Sequence, residues 1–315
     1  MRLIFMGTPE AAVPTLEKLL DHGHQVLAVF TQPDKPVGRH QKLTPSPVKV
    51  RAEQRGLPVY QPEKIKTNEQ VREIFHALAP EAVVVVAYGK ILPPWMLAIP
   101  PRGCINVHFS LLPKYRGAAP VNWAIVRGET ETGVTTMLMD EGMDTGPILL
   151  QRSCPIGADE TAAELTERLA RMGADLLIET LEGLRQGRLT PIPQDDSQAT
   201  YAPLLKREDG RIVWTLTAEE IRNRVRGFQP WPGAWTTLRG ARVILWRAEA
   251  ETPIPPEQRA LAPGTISEIR KDAFAVICGG DSRLIITELQ LEGRKRLPAR
   301  EFLKGARLEV GIRLE

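Results

Sequence analysis

The chain has 315 residues, 43% hydrophobic and 25% charged, a globular composition that excludes a disordered or fibrous polypeptide and is long enough for two cores. Three widely separated cysteines exclude a disulfide framework and offer no metal-ligand spacing, which fits a reducing compartment. The formal charge of +3 is uneven: residues 206–315 hold 20 Lys and Arg against 15 Asp and Glu, so this basic third suits either a polyanionic partner or a plain solvated surface.

The start, Met1 to Gly7, is too short an apolar run for a signal peptide, and Glu10 follows soon after. A cytoplasmic protein without a membrane anchor is expected. Leu3–Met6 reads as a strand. Gly7-Thr8-Pro9 then turns into a helix, with Thr8 as the expected cap and Pro9 at the first helical position. Gly23 follows as a C′ residue, and Gln25–Phe30 reads as a second strand. Helices are expected at Ser46–Arg55, Asn68–Leu78 and Pro120–Arg127. Ala82–Ala87 holds four consecutive valines, the habit of a strand covered on both faces; Gly103–His108 and Val134–Met139 read as further strands. The alternation predicts an α/β fold, a doubly wound, mostly parallel sheet.

A long helix follows from Glu160 to Gln186, with Asp159 as the expected cap and Gly187 as the stop. Residues 188–205 are rich in Pro, Asp, Gln, Ser and Thr and read as a linker between a domain of residues 1–187 and one of residues 206–315. In the second domain short strands recur at Trp235–Leu238, Ala241–Ala248, Gly264–Ile269, Ala273–Cys278 and Leu284–Leu291. They predict a small C-terminal β-barrel, with the OB type as the leading form.

Side chains alternate faces along a strand, so Asn106 and His108 point to one side while Ile105 and Val107 point to the other. The polar pair sits at the strand's carboxyl end, where open α/β sheets bind substrates. An amide donor beside an imidazole suits a developing oxyanion and a proton transfer. The loop Asp140-Glu141-Gly142-Met143-Asp144-Thr145-Gly146-Pro147 follows another strand and is expected to aim a carboxylate at the pair. Spacing leaves Asp140, Glu141 and Asp144 in competition. Ser110-Leu111-Leu112-Pro113 leads out of the polar strand, and its leucines suit either a flat apolar pocket or the core. Cys104, on the face of Asn106 and His108, is expected to pack. His22-x-His24 lacks a third ligand and reads as a helix-end turn.

Asn-x-His, then Ser-Leu-Leu-Pro-x-x-Arg-Gly, then Asp-x-Gly-x-Asp-x-Gly-Pro together resemble the folate-dependent formyltransferase superfamily. Supporting stretches are Gly7-Thr8-Pro9, Thr31 to Arg39, Pro45 to Lys49 and Phe228 to Trp235, so the likeness covers most of the chain. It implies that 10-formyltetrahydrofolate gives its formyl group to an α-amine, that of methionine on initiator tRNA, without metal or ATP. It further implies Asn106, His108 and Asp144 as the catalytic set and Ser110, Leu111, Leu112 and Pro113 as folate contacts. The basic loop 32–44, with Lys35, Arg39 and Lys42, is then expected to reach the tRNA. Lys206 and Arg207 are candidate phosphate contacts, as are Arg211 and Arg294-Lys295-Arg296. Trp214, Trp231, Trp235 and Trp246 are expected to build the barrel rather than stack on bases. A monomer is expected. The rival reading is a formyltransferase for a small amine or amino-sugar nucleotide; Pro9 removes an N–H and Glu10 adds charge where a phosphate would sit, which disfavours small phosphorylated acceptors. An RNA-binding module on an inactive scaffold is disfavoured by the complete polar set.

Overall fold

A computed structural model describes residues 1–37 and 42–315, with Val37 as backbone only. In chain order the elements are β1 (Arg2–Gly7), α1 (Val13–Asp21), β2 (Gln25–Phe30), β3 (Lys35–Val37), β4 (Lys42–Thr44), α2 (Pro47–Gln54), β5 (Val59–Tyr60), α3 (Glu69–Leu78), β6 (Ala82–Val86), α4 (Pro94–Ala98) and β7 (Cys104–His108). They continue with α5 (Pro120–Val126), β8 (Glu131–Leu138), β9 (Ile148–Pro155), α6 (Ala162–Arg185), α7 (Ala218–Gly227), β10 (Ala234–Leu238), β11 (Ala241–Glu251), β12 (Ile266–Ile269), β13 (Phe274–Ile277), β14 (Arg283–Leu291), β15 (Leu297–Pro298) and α8 (Ala299–Ala306). The chain divides into two compact units. Unit 1 comprises residues 1–120, 131–155 and 166–203, and unit 2 comprises residues 121–130, 156–165 and 204–315.

Unit 1 is built on a seven-stranded sheet of order β5-β2-β1-β6-β7-β8-β9. The pairings from β5 to β7 are parallel, and those of β8 with β7 and β9 are antiparallel. Every residue of β6 is buried, as its valine run predicts, because β1 and β7 flank it and helices cover it. The helix α6 lies close behind β7. At Gly173 an added Cβ would stand 2.8 Å from Val107 and 3.3 Å from Val134, so the absent side chain sets that approach.

Two expected caps are corrected. Thr8 caps no helix: its hydroxyl donates to the Tyr88 carbonyl at 3.1 Å and accepts from the Gln32 N–H at 3.3 Å. Pro9 instead precedes a single 3-10 turn, and α1 starts at Val13. Asp159 does not cap α6. Thr161 does, in a reciprocal box with Glu164, because a Thr three residues before a Glu satisfies two end groups at once; Asp159 pairs with Arg222 in unit 2. Ser46 and Asn68 cap α2 and α3 through their side chains. The strand β9, the helices α7 and α8, and the hairpin β3–β4 were not expected from the sequence.

Unit 2 holds an antiparallel sheet of order β10-β11-β14-β13-β12, with β15 pairing β14. Its core gathers Ile212, Trp214, Ile221, Leu245, Phe274, Ile286 and Phe302. The segment 311–315 bonds to both ends of that order: Thr237 and Glu315 exchange N–H···O bonds of 2.8 and 3.0 Å, and the Ile266 N–H donates to Ile312 at 2.8 Å. Half-buried carboxylates are matched there by arginine. Arg283, 5% exposed, pairs with Glu251 at 2.9 Å and with Glu268 at 2.8 Å.

Candidate active site

Asn106 and His108 are 9% and 6% exposed and share one face of β7, as strand alternation requires. The carboxylate reaches them by an unexpected route. Because β8 is antiparallel, with Ile105 opposite Leu138 and His108 opposite Thr135, its carboxyl end lies at the amino end of β7. The acidic loop therefore does not leave from the expected edge; it folds back to the polar face. Two glycines permit the fold. At Gly146 a Cβ would meet the Leu138 carbonyl at 1.8 Å, and Gly117, at φ +117, offers its N–H from the facing loop.

Asp144 is the carboxylate delivered. Its Oδ1 accepts from Asn106 Nδ2 at 3.3 Å, its Oδ2 accepts from the Gly117 N–H at 2.8 Å, and Oδ2 faces His108 Nδ1 at 3.7 Å. On the other side of the ring, Nε2 donates to the Tyr115 carbonyl at 2.9 Å. Asp140 is spent inside the loop, accepting from the Gly142 N–H and the Thr145 hydroxyl, and Glu141 is exposed. Of the three competing carboxylates, only Asp144 meets the polar pair.

The Ser110–Pro113 loop is braced from behind. The Ser110 hydroxyl donates to the Lys114 carbonyl, the Leu112 N–H to the Thr135 hydroxyl, and Gln151 to the Leu112 carbonyl. Ser110 and Leu112 are buried; Leu111 is half-buried beside Gly133, where a Cβ would stand 2.6 Å from it. Cys104 is core: it packs with Met96 and Leu92, and burial pushes its thiol up to about 12.

Lys35 and Lys42 are exposed on the β3–β4 hairpin, and Arg39 lies outside the described residues. In unit 2, Lys206 and Arg207 are exposed, with Arg207 3.8 Å from Glu292. Arg211, Arg294 and Lys295 are exposed as well. Arg296 is held by Glu288 and stacks on Trp246 at 4.7 Å. Trp214 is core, Trp235 carries Arg242 over its ring, and Trp231 is exposed.

Several residues at the site carried no assignment from sequence: Tyr115, Arg116, Gly117, Gln194 and Thr200. Arg116, only 2% exposed, donates to the Gln194 side-chain oxygen and to Asp196. Gln194 in turn donates to the Asp144 and Gly146 carbonyls at 2.8 and 2.7 Å. The stretch read as a linker is thus pinned along unit 1. Its composition shows polarity, and nothing in it signals those partners.

Residues 1–181 match the family model of formyl transferase, and residues 204–307 match that of the formyl transferase C-terminal domain. The chain belongs to the formyl transferase family. A methionyl-tRNA formyltransferase of Geobacter sulfurreducens is 53% identical over all of this chain and 96% of that protein. One of Acidobacterium capsulatum is also 53% identical, over all of this chain and 99% of its own length. The fold is shared with HypX from Aquifex aeolicus, solved in complex with tetrahydrofolic acid, at a TM-score of 0.64 and 20% identity over 97% of this chain and 48% of that one. It is shared as well with WlaRD, a sugar 3N-formyl transferase, at 0.66 and 19% identity over 94% and 99%.

Proposed function

We propose that this formyl transferase moves the formyl group of 10-formyltetrahydrofolate onto the α-amino group of methionyl-initiator tRNA, with Asn106, His108 and Asp144 as its catalytic residues. The observation that carries the reading is the convergence of an amide, an imidazole and a carboxylate on one buried face, in a chain half-identical over its length to methionyl-tRNA formyltransferases.

The neutral amine attacks the formyl carbon and a C–N bond forms. The carbonyl oxygen becomes an oxyanion, for which Asn106 keeps one amide hydrogen while the other is held by Asp144. His108, between Asp144 and the Tyr115 carbonyl, takes part in moving the proton that the amine sheds. The C–N10 bond then breaks and tetrahydrofolate leaves with a proton on N10. This sequence calls for neither metal nor ATP.

Ser110, Leu111, Leu112 and Pro113 are assigned to the folate site, where the braced loop offers backbone and the flank of Leu111. The exposed cations Lys35, Lys42, Lys206 and Arg207 are assigned to the tRNA, together with Arg39. We read residues 1–187 as the catalytic domain, 188–205 as the connection and 206–315 as a tRNA-binding barrel of OB type; the bonds from 311–315 to Thr237 and Ile266 support closure of that sheet. The protein is taken as a cytoplasmic monomer.

The test offers 10-formyltetrahydrofolate with charged initiator tRNA or with amino-sugar nucleotides. Formyl-methionine recovered from the tRNA is the expected product. A formylated sugar with untouched tRNA would transfer the assignment to the rival acceptor class.

A further inference from the structure

The two oxygens that face the His108 ring both belong to residues whose backbone is in an unusual conformation. Tyr115, whose carbonyl accepts from Nε2, has φ +61, and Asp144, whose carboxylate faces Nδ1, has φ +56. Non-glycine residues occupy this left-handed region rarely and stay there when their surroundings insist. One segment holds both. The Thr200 hydroxyl accepts from the Tyr115 N–H at 2.9 Å, and the Gln194 amide donates to the Asp144 carbonyl at 2.8 Å. The amide cannot turn around: Arg116 only donates and fixes the oxygen end at 3.0 and 2.8 Å, while two carbonyls fix the nitrogen end.

These side-chain bonds are additional to what docks the segment. Backbone pairing already does that, through Arg116 with Thr200 at 2.8 Å and Ala202 with Arg116 at 2.8 Å. We propose that residues 194–202 are a strap that sets both ring partners of His108, with Gln194 and Thr200 as positioning residues for formyl transfer. The proposal rests on the reading of His108 and Asp144 as catalytic. A strap serving the fold alone would have no need to place the Gln194 and Thr200 side chains on the two strained residues flanking one imidazole.

The test compares Gln194→Glu, Thr200→Val, Thr200→Ser and Asp144→Asn in steady-state transfer to methionyl-tRNA, with thermal unfolding alongside. Gln194→Glu keeps the volume and the arginine partner but faces two carbonyls without a donor. Thr200→Val removes the acceptor of the Tyr115 N–H at constant volume, and Thr200→Ser restores it. For the first two, kcat is expected to fall about 10- to 100-fold, with KM for either substrate within about threefold; Thr200→Ser recovers most of the loss. The imidazole Nε2 proton, observed by NMR, should lose its protection from exchange in Thr200→Val. If Gln194→Glu does not fold, the Thr200 pair and this proton decide the matter. Normal kcat in folded Thr200→Val, with Asp144→Asn inactive, overturns the strap alone. Normal kcat in Asp144→Asn overturns the underlying reading of the site, and the strap with it.

Discussion

Replacing Asp144 by Asn tests the site with little change in volume. The carboxylate now accepts two hydrogen bonds and faces an imidazole nitrogen at 3.7 Å. An asparagine has one acceptor end. If its oxygen takes the Gly117 N–H, its NH2 confronts the NH2 of Asn106; turned around, it confronts the Gly117 N–H. Either orientation leaves a donor unmatched, at a cost of about 1 kcal/mol or more. The charge is lost as well. Two unit charges 3.7 Å apart attract by about 4.5 kcal/mol at an effective dielectric constant of 20, and about half of that survives the partial exposure of Asp144. Together these remove about 3 kcal/mol from the charged transition state, or about 100-fold in rate. The assay is single-turnover formylation of methionyl-tRNA at saturating enzyme, with thermal unfolding as the fold control. A folded variant within about threefold of the parent rate would refute the electrostatic argument.

Gly117→Ala places a Cβ 2.7 Å from the Ala202 carbonyl at φ +117, so it should displace the N–H that Asp144 accepts and lower kcat by about 100-fold; kinetics at the parent value would show the loop to be slack. In unit 2 the hydrogen bonds of Arg283 to Glu251 and of Arg270 to Glu268 hold these carboxyls below the ordinary glutamate value of 4.5. A depressed folded value means stability present above the unfolded value and lost as pH falls through the folded one. Arg283→Met should therefore melt at a lower temperature at neutral pH, and the deficit should shrink below pH 4.5; a deficit independent of pH across that range would contradict the ion-pair account. Lys206→Ala with Arg207→Ala should reduce the slope of log affinity for tRNA against log salt by about 1 to 2 and leave folate binding alone. An unchanged slope would remove these residues from the RNA surface.

What the sequence makes legible here is whatever a local rule carries. The period of two along 103–108 places Asn106 and His108 together, the valine run of β6 announces a covered strand, and the helices expected at Ser46–Arg55 and Asn68–Leu78 lie within a residue of α2 and α3. Local rules mislead where two candidates compete at short range. Thr161 with its Glu164 displaces Asp159 as cap, and Thr8 is taken by a carbonyl 80 residues away. They are silent on the direction of β8, which decides how Asp144 arrives. The strap is beyond their reach for the same reason: Gln194 meets Asp144 across 50 residues and Arg116 across 78, and a polar residue in a polar stretch carries no mark of such partners.

The bare position at Gly173 bears on how this scaffold is to be re-engineered. Helix α6 presses its backbone toward Val107, the residue between Asn106 and His108, with less clearance than one methyl group needs. The alignment of the two polar side chains is thus constrained from the reverse side of the sheet, by the backbone of a helix. A search for altered acceptor preference has freedom in the exposed loops and almost none at this spot. Libraries that diversify every position near the site would do well to treat residue 173 as a fixed datum.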